Sequence, residues 1–164
     1  PTIDPSLRAG KVSKWGEWVK SKPLVVNGAE TRWRILGKYD LVATNEDGTI
    51  GLIDCKVSDS QRDSGQFYSP QLEAYAYSLE NPAAGKSQSV ASIGLLVWKP
   101  TTAIGTTADD YGFGVFQKYV PVERDQANFL KVIGEFIDVL EGELPDSGPD
   151  CQTCNYLVAR NALD

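Results

Sequence analysis

The sequence predicts a mixed α/β (α+β) domain, with a central mixed sheet that starts as an antiparallel meander and is flanked by helices. Segments of two-residue apolar alternation are interspersed with segments whose apolar residues recur every three or four positions, which predicts both strands and helices. The two kinds of segment do not alternate strictly, so we do not expect a regular βα repeat. With 164 residues, of which 41% are hydrophobic and 23% charged, the chain is expected to form one globular domain over residues 1–164.

The first third of the chain is predicted to form a helix and a strand hairpin. Apolar residues recur at helical spacing over residues 8–21, and Pro23 would end this helix because it has no N–H to donate. Apolar and charged residues alternate over 31–44, which predicts a strand. An Asp-Gly turn lies within 45–48, and residues 49–58 are predicted to return as the antiparallel partner.

The remaining two thirds are predicted to contain two helices, two strands and a tail. In order, these elements are a polar loop over 59–68, a helix over 69–80, strands over 92–98 and 112–120 joined by a loop of small residues, an amphipathic helix over 123–141, and a tail over 146–164. Ser69 is a suitable N-cap for the first of these helices, and Pro70 suits the first helical position.

The absence of histidine narrows the chemistry that this chain can perform. Without imidazole it cannot build a Ser-His-Asp triad, a Cys-His dyad or a His-ligated zinc site, so catalysis would depend on carboxylates, Lys, Tyr or Cys. Three cysteines are one short of a four-thiolate zinc or iron–sulfur site. Because neither a long apolar stretch nor a signal peptide is recognisable, we expect a cytoplasmic protein that does not contact membranes.

Charge is distributed unevenly along the sequence. The net charge is −6, yet residues 1–38 contain eight basic and three acidic residues, which gives this segment +5 and the remaining 126 residues −11. An acidic protein is not expected to coat nucleic acid loosely, but a basic N-terminal segment can supply a local phosphate-binding face. In the predicted first helix, Lys11 and Lys14 belong either to a solvated face or to a track for the DNA backbone.

The most informative chemical pattern lies on the predicted strand hairpin. Two-residue alternation places Asp54 and Lys56 on one face of a strand, at the end of a buried apolar run where a charge requires a partner. A turn centred near residue 47 places Asp40 opposite Asp54. Two carboxylates on adjacent strands are a minimal oxygen ligand set for Mg²⁺ or Mn²⁺, and the backbone carbonyl of Cys55 is a natural addition.

Three short motifs follow one another on the predicted strand, strand and helix. They are Gly37-Lys38-Tyr39-Asp40, Ile53-Asp54-Cys55-Lys56 and Gln71-Leu72-Glu73-Ala74-Tyr75. Each motif is weak alone, but the ordered set resembles the signatures of the PD-(D/E)XK nuclease superfamily. The similarity is to its RecB-like branch, which includes CRISPR-associated and phage exonucleases, and it implies a restriction-endonuclease-like core.

The resemblance also implies a role for each matched residue. Asp40 and Asp54 would bind a divalent metal ion, and Lys56 would position or activate the attacking water and offset charge in the transition state. In the family, a Gln-x-x-x-Tyr pair such as Gln71 and Tyr75 lines the site and contacts the substrate strand. A histidine base is then not required, because a bound metal ion lowers the pKa of water.

The sequence departs from the family pattern at two places. RecB-like enzymes commonly have a further metal-binding histidine upstream of the first aspartate; Glu17 or Glu30 could take its place here, and the spacing does not choose between them. Many of these enzymes also end in cysteines that hold an iron–sulfur cluster. Cys151 and Cys154 resemble part of that signature, but Arg160 stands where a third cysteine is expected, so we do not expect a complete cluster.

These features together predict a metal-dependent deoxyribonuclease, an exonuclease on ends or single strands that serves DNA repair, recombination or phage DNA processing in a bacterial or phage-infected cell. The alternative is a catalytically silent domain that binds DNA or a partner protein such as a helicase or recombinase. The four tryptophans are expected to pack in the core and against helices, with a base-stacking platform as the second interpretation. They are Trp15, Trp18, Trp33 and Trp98.

Overall fold

The computed structural model describes residues 11–58, 65–107, 110–143 and 148–162. In chain order its elements are β1 (Lys11–Trp15), β2 (Trp18–Lys20), β3 (Val25–Val26), β4 (Ala29–Glu30), β5 (Leu36–Lys38), β6 (Leu41–Thr44), β7 (Ile50–Val57), α1 (Gly65–Glu80), β8 (Val90–Thr107), β9 (Asp110–Val122), α2 (Gln126–Glu141) and α3 (Gln152–Asn161). Within these ranges, no helix is both long and apolar enough to cross a lipid bilayer.

A five-stranded mixed sheet in the order β1-β6-β7-β8-β9 forms the centre of the fold. β1, β6 and β7 pair antiparallel, β7 and β8 pair parallel, and β8 and β9 pair antiparallel. A parallel pair needs a crossover connection, which α1 supplies. The predicted mixed α/β architecture is therefore confirmed, and it is consistent with a restriction-endonuclease-like core.

The predicted first helix is wrong, because its described part forms β1 and β2. The apolar residues of this segment do not share a buried face: Val19 is buried, whereas Trp15 and Trp18 are exposed. Gly16 has a φ of 60°, a left-handed conformation that separates the two strands. β1 then pairs with β6 and β2 with β5. The start of the prediction, residues 8–10, lies outside the described residues.

Other elements also differ from the prediction. The strand predicted over 31–44 is divided into β5 and β6, which belong to different sheets, and α3 lies within the predicted tail. α1 begins at Gly65, one turn before the predicted start, and Pro70 lies inside it, exposed and without an N–H for the helical ladder. The predicted small-residue loop after residue 98 is instead a continuation of β8 and β9 as a long hairpin, whose register is irregular at two places. Residues 59–64 and 108–109 of these predicted loops lie outside the described residues.

Apolar clusters cover both faces of the central sheet. On one face, Leu72 of α1 packs in a cluster with Leu52 and the neighbouring strands. On the reverse face, Ile53 groups with Leu96 and Tyr119. β7 therefore alternates as predicted, with its even-numbered residues directed toward α1. A third cluster joins α2 to α1 and to the segment that contains β3.

Candidate active site

The β6–β7 pair brings the two predicted carboxylates together. Leu41 is the partner of Ile53, so the next step of the register places Asp40 opposite Asp54, as the turn position predicts. Asp40 lies just before β6, and its Oδ2 accepts a hydrogen bond from the backbone N–H of Cys55 at 2.7 Å. The carboxylate of Asp40 thus accepts a hydrogen bond from a backbone N–H of β7, beyond the end of β6. This hydrogen bond fixes the orientation of the carboxylate.

Asp54 is a buried carboxylate with incomplete compensation. Its residue is 3% exposed, and its Oδ2 lies 2.6 Å from the Nζ of Lys56. This ion pair with Lys56 is the polar contact that Oδ2 makes within the described residues. Burial raises the pKa of Asp54, Lys56 opposes that rise, and the charge of Asp40 adds to it. The site therefore favours the approach of a cation.

Lys56 is held on three sides beneath α1. Besides Asp54, its Nζ makes a long contact of 3.5 Å to the Oε1 of Gln71 and lies 4.5 Å from the ring centroid of Tyr68. Burial alone would lower the pKa of Lys56, but the hydrogen bond and charge of Asp54 outweigh burial and raise it. Lys56 is accordingly a protonated side chain with a fixed position.

α1 adds an amide and a phenol to the two strands. The Nε2 of Gln71 donates to the hydroxyl of Tyr75 at 2.9 Å and lies 3.4 Å from the Oδ1 of Asp54. The ring of Tyr75 lies against β5 at Gly37, where an added Cβ would be 2.5 Å from its Cε1. Glycine is thus required at this position for α1 to approach the strand closely.

Neither candidate further ligand, Glu17 or Glu30, forms a three-residue metal-binding group with this carboxylate pair in the described part of the chain. Glu17 accepts a hydrogen bond from the buried hydroxyl of Tyr39 at 2.9 Å and is 3.9 Å from the Nζ of Lys14. Burial, and then Glu17, raise the pKa of Tyr39. Glu30 belongs to the two-stranded β3–β4 sheet, whose segment packs against α2. Among the described residues, no group of three acidic or thiol side chains is arranged to hold a metal ion.

The residues that are brought together fit a hard divalent cation. Asp40 and the buried Asp54 provide carboxylate oxygens, and oxygen ligands are what Mg²⁺ and Mn²⁺ prefer. The thiol of Cys55 packs on the reverse face of the sheet, so only its backbone is available to this site. Cys151 and Cys154 lie at the start of α3, with their Sγ atoms 2.9 Å apart.

Sequence analysis did not find Tyr68 or the buried network around Arg124. Tyr68 falls in the predicted polar loop, and only the earlier start of α1 places it one turn before Gln71. Arg124 pairs with Glu80 at 2.6 Å and with Glu73 at 3.2 Å. No local pattern indicates that network, because its members come from distant parts of the chain.

An antiparallel pair with facing aspartates, an Asp-x-Lys strand and a covering helix places the chain in the class of nuclease-fold proteins with a restriction-endonuclease-like core. A family model for the PD-(D/E)XK nuclease superfamily matches residues 7–159. The chain therefore belongs to the PD-(D/E)XK nuclease superfamily. The superfamily consists largely of metal-dependent nucleases, which makes nucleic acid the expected ligand.

Solved structures add a distant similarity, and no curated protein matches the chain. The crystal structure of SSO0001 matches with a TM-score of 0.47 and 16% sequence identity. The match covers 88% of this chain and 58% of that one, so the chain spans less than two thirds of the length of that protein.

Proposed function

We propose that this chain is a deoxyribonuclease that hydrolyses phosphodiester bonds with Mg²⁺ or Mn²⁺, acting as an exonuclease on DNA ends or single strands. The observation that carries the proposal is the buried carboxylate of Asp54, which faces Asp40 across the β6–β7 pair and is compensated by the single charge of Lys56. Such a carboxylate is stabilised by a cation. DNA repair, recombination or phage DNA processing is the setting in which we place this activity.

Asp40, Asp54 and the backbone carbonyl of Cys55 would hold the metal ion. When bound, the ion lowers the pKa of a water molecule and neutralises phosphate charge. The N–H of Cys55 keeps Asp40 in position for this role. The Oε2 of Glu17 is engaged by the hydroxyl of Tyr39, and waters and phosphate oxygens would complete the ligand set.

Lys56 acts in this proposal as a fixed positive charge. Asp54 holds its pKa above the ordinary value, so the ammonium attracts the phosphate and stabilises the negative charge that develops when water adds to phosphorus and the ester P–O bond breaks. A neutral amine that accepts the proton of water is disfavoured by the same contact. Gln71 and Tyr75 can donate hydrogen bonds to the phosphate or to the attacking water.

A catalytically silent domain that binds DNA or a partner protein, such as a helicase or recombinase, is the second candidate. One observation favours it: within the described residues only two carboxylates meet at the site, and no third ligand joins them. A silent domain would bind DNA as well with Asp54 replaced as with Asp54 present, and would show no metal-dependent cleavage.

Digestion of end-labelled single-stranded and duplex DNA in Mn²⁺ and Mg²⁺ tests the proposal. We expect cleavage by the wild type, loss of at least 100-fold in Asp54→Asn and in Lys56→Ala, and wild-type rates for Asp138→Asn, an exposed carboxylate on α2 that serves as the control. Cleavage that survives in Asp54→Asn would contradict the proposed site, and bound but uncleaved DNA would establish the silent domain.

A further inference from the structure

An exposed basic and aromatic surface lies on the strand ribbon formed by β1, β2, β5 and β6. It consists of Trp15, Trp18, Lys20, Leu36 and Lys38, and we call it the tryptophan patch. Trp15 is 71% exposed and Trp18 70% exposed. Both are far less buried than large aromatic side chains usually are. Both lysines are exposed as well. Two indoles left in water on one ribbon indicate a surface that binds something.

The members of the tryptophan patch share the side of the ribbon that faces away from α1. Val19 is buried and Gly37 lies against the ring of Tyr75, so these two residues face the helix. Their neighbours Trp18 and Lys38 are a directly opposed cross-strand pair, and must point the other way. Lys20 and Leu36 form the next such pair.

Trp15 reaches the same side through a different pairing. It opposes Leu41, whose side chain belongs to the cluster on the reverse face of the central sheet. Between the two tryptophans lies Gly16, and an added Cβ there would be 3.7 Å from the Cε of Lys38. The stem of Lys38 therefore lies over Gly16, the residue that separates the strands carrying Trp15 and Trp18.

The tryptophan patch adjoins the candidate site through the backbone. The N–H of Gly16 donates to the carbonyl of Asp40 at 2.9 Å, and the N–H of Tyr39 donates to the carbonyl of Glu17 at 3.3 Å. Asp40 thus lies between β5 and β6, whose residues Lys38 and Leu41 oppose Trp18 and Trp15. The patch and the carboxylates are thus joined by one stretch of backbone, with the patch on the reverse side of the strands and Asp40 and Asp54 on the side that faces α1.

Charge identifies the kind of ligand. Among residues 11–38 there are seven basic and two acidic side chains, although the net charge of the chain is −6. A protein partner with an apolar face would not require cations interleaved with the indoles, whereas a polyanion with flat unpaired rings requires both. Bases in a duplex are stacked on one another and cannot offer their faces, so an unpaired strand is favoured.

We propose that the tryptophan patch binds a single-stranded segment of the nucleic-acid substrate, with bases stacked on Trp15 and Trp18 and phosphates paired with Lys38 and Lys20. This inference rests on the proposed function for the identity of the substrate. It adds that the bound strand is unpaired, and that its binding is insensitive to base sequence because every base has a π-face.

Fluorescence anisotropy with labelled oligo(dT) in EDTA tests this inference without cleavage. We expect the Trp15→Ala/Trp18→Ala double variant and Lys38→Glu each to bind at least tenfold more weakly than the wild type. Tyr156→Ala and Lys131→Glu, an exposed aromatic residue and an exposed cation elsewhere, should bind as the wild type does. Unchanged circular dichroism and thermal melting verify that the variants fold.

An abasic strand of the same length separates stacking from charge. The wild type should bind oligo(dT) at least tenfold more tightly than the abasic strand, and the double tryptophan variant should bind the two equally. Equal binding of both strands by the wild type would overturn the inference and leave the patch as a surface for a protein partner. Wild-type affinity in the double variant would overturn it as well.

The two proposals fail separately. Asp54→Asn should abolish cleavage yet keep the tryptophan-dependent binding of oligo(dT). Tryptophan-dependent binding without cleavage in any metal would sustain the binding surface and overturn the proposed nuclease. If the protein cleaves DNA but its affinity for oligo(dT) does not change in the double tryptophan variant, the proposed nuclease is sustained and the proposed binding surface is overturned.

Discussion

Burial of Asp54 favours its neutral form, whereas its proposed role as a metal ligand requires the ionised carboxylate. In the metal-free protein its ionised form lacks full compensation, and burial raises its pKa. The stability that Asp54 contributes is therefore complete below the pKa of an unfolded aspartate, about 3.9, and is lost as the pH rises through the higher folded pKa. A bound cation would reverse this loss.

Thermal melting with Mn²⁺ tests that interpretation. At a concentration of about 100 Kd the ion should stabilise the wild type by about 2.7 kcal/mol, which raises the Tm of a domain of this size by roughly 5–10 °C. The shift should increase with pH, because Mn²⁺ competes with the proton on Asp54. Asp54→Asn should lose the shift and Asp138→Asn should keep it; an equal shift in both would place the metal elsewhere.

Tyr68 stabilises the ammonium of Lys56 through the face of its ring. Replacing the ring by an aliphatic side chain removes a cation–π contact worth about 0.5–2 kcal/mol. We therefore expect Tyr68→Leu to lower kcat several-fold to about thirtyfold with little change in KM, and Tyr68→Phe to retain most of the activity because it keeps the ring. A Phe variant as impaired as the Leu variant would show that the hydroxyl group is what matters.

At the candidate site, α1 approaches β5 closely because Gly37 has no side chain. A Cβ added at Gly37 would be 2.5 Å from Cε1 of Tyr75. Gly37→Ala should displace the ring and destabilise the protein by about 1–3 kcal/mol in urea unfolding. Gly148→Ala is the matched control, because nothing lies within 4 Å of its added Cβ. Equal stability of the two variants would show that α1 can shift freely.

The network around Arg124 joins α1 to β8 and to the start of α2. The guanidinium of Arg124 contacts the carboxylates of Glu80 and Glu73 and the carbonyl of Val90, and Glu73 also accepts from the N–H of Asp125 at 2.7 Å. Glu80, and then Glu73, raise the pKa of Arg124 against the effect of burial. Glu73 is 1% exposed, and Arg124 is the cation that compensates the burial of its carboxylate.

Arg124→Met should cost about 3–5 kcal/mol of unfolding free energy, because it leaves a buried carboxylate without its counterion. The exposed pair of Arg32 with Glu141 provides the control, and Arg32→Met should cost at most about 1 kcal/mol. The double variant Arg124→Met/Glu73→Gln should recover part of the loss in urea unfolding. A loss no larger than that of Arg32→Met would mean that Glu73 finds another partner.

The elements that sequence patterns predicted well are those with local determinants. The turn near Asp47 sets the β6–β7 register, and two-residue alternation sets the face of Asp54, so both follow from a short stretch of sequence. β1 and β2 could not be predicted, because the spacing of Trp15 and Trp18 resembles a helix although both are exposed. Their partners in β5 and β6 are distant in sequence, and only tertiary pairing selects the strand.

At the scale of the whole molecule, charge is segregated. The basic residues concentrate in the first part of the chain, while the remainder is strongly acidic. An acidic body repels nucleic acid from most of the surface and leaves a limited region for its approach. Few phosphate contacts are therefore expected, in contrast with proteins that coat DNA.

The salt dependence of binding measures the number of phosphate contacts. Our two proposals assign three cations to phosphates, Lys20 and Lys38 in the tryptophan patch and Lys56 in the candidate site, and each contact on a single strand contributes a slope of about −0.7. The logarithm of the association constant for oligo(dT) should therefore fall with the logarithm of salt concentration with a slope of about −2. A much steeper slope would indicate an extended electrostatic surface, and a slope near zero would exclude phosphate contacts.

The crossover from β7 through α1 to β8 has a consequence for how the chain can be recombined. All the proposed catalytic side chains precede β8, whereas the partner that stabilises Glu73 and Glu80 follows β9. The proposed catalytic side chains and the arginine that stabilises α1 therefore lie in separate stretches of the sequence, before β8 and after β9. In a chimaera between two superfamily members, a single junction in the β8–β9 hairpin would transfer all the proposed catalytic side chains together. The residue at position 124, which pairs with Glu73 and Glu80, would then come from the other parent.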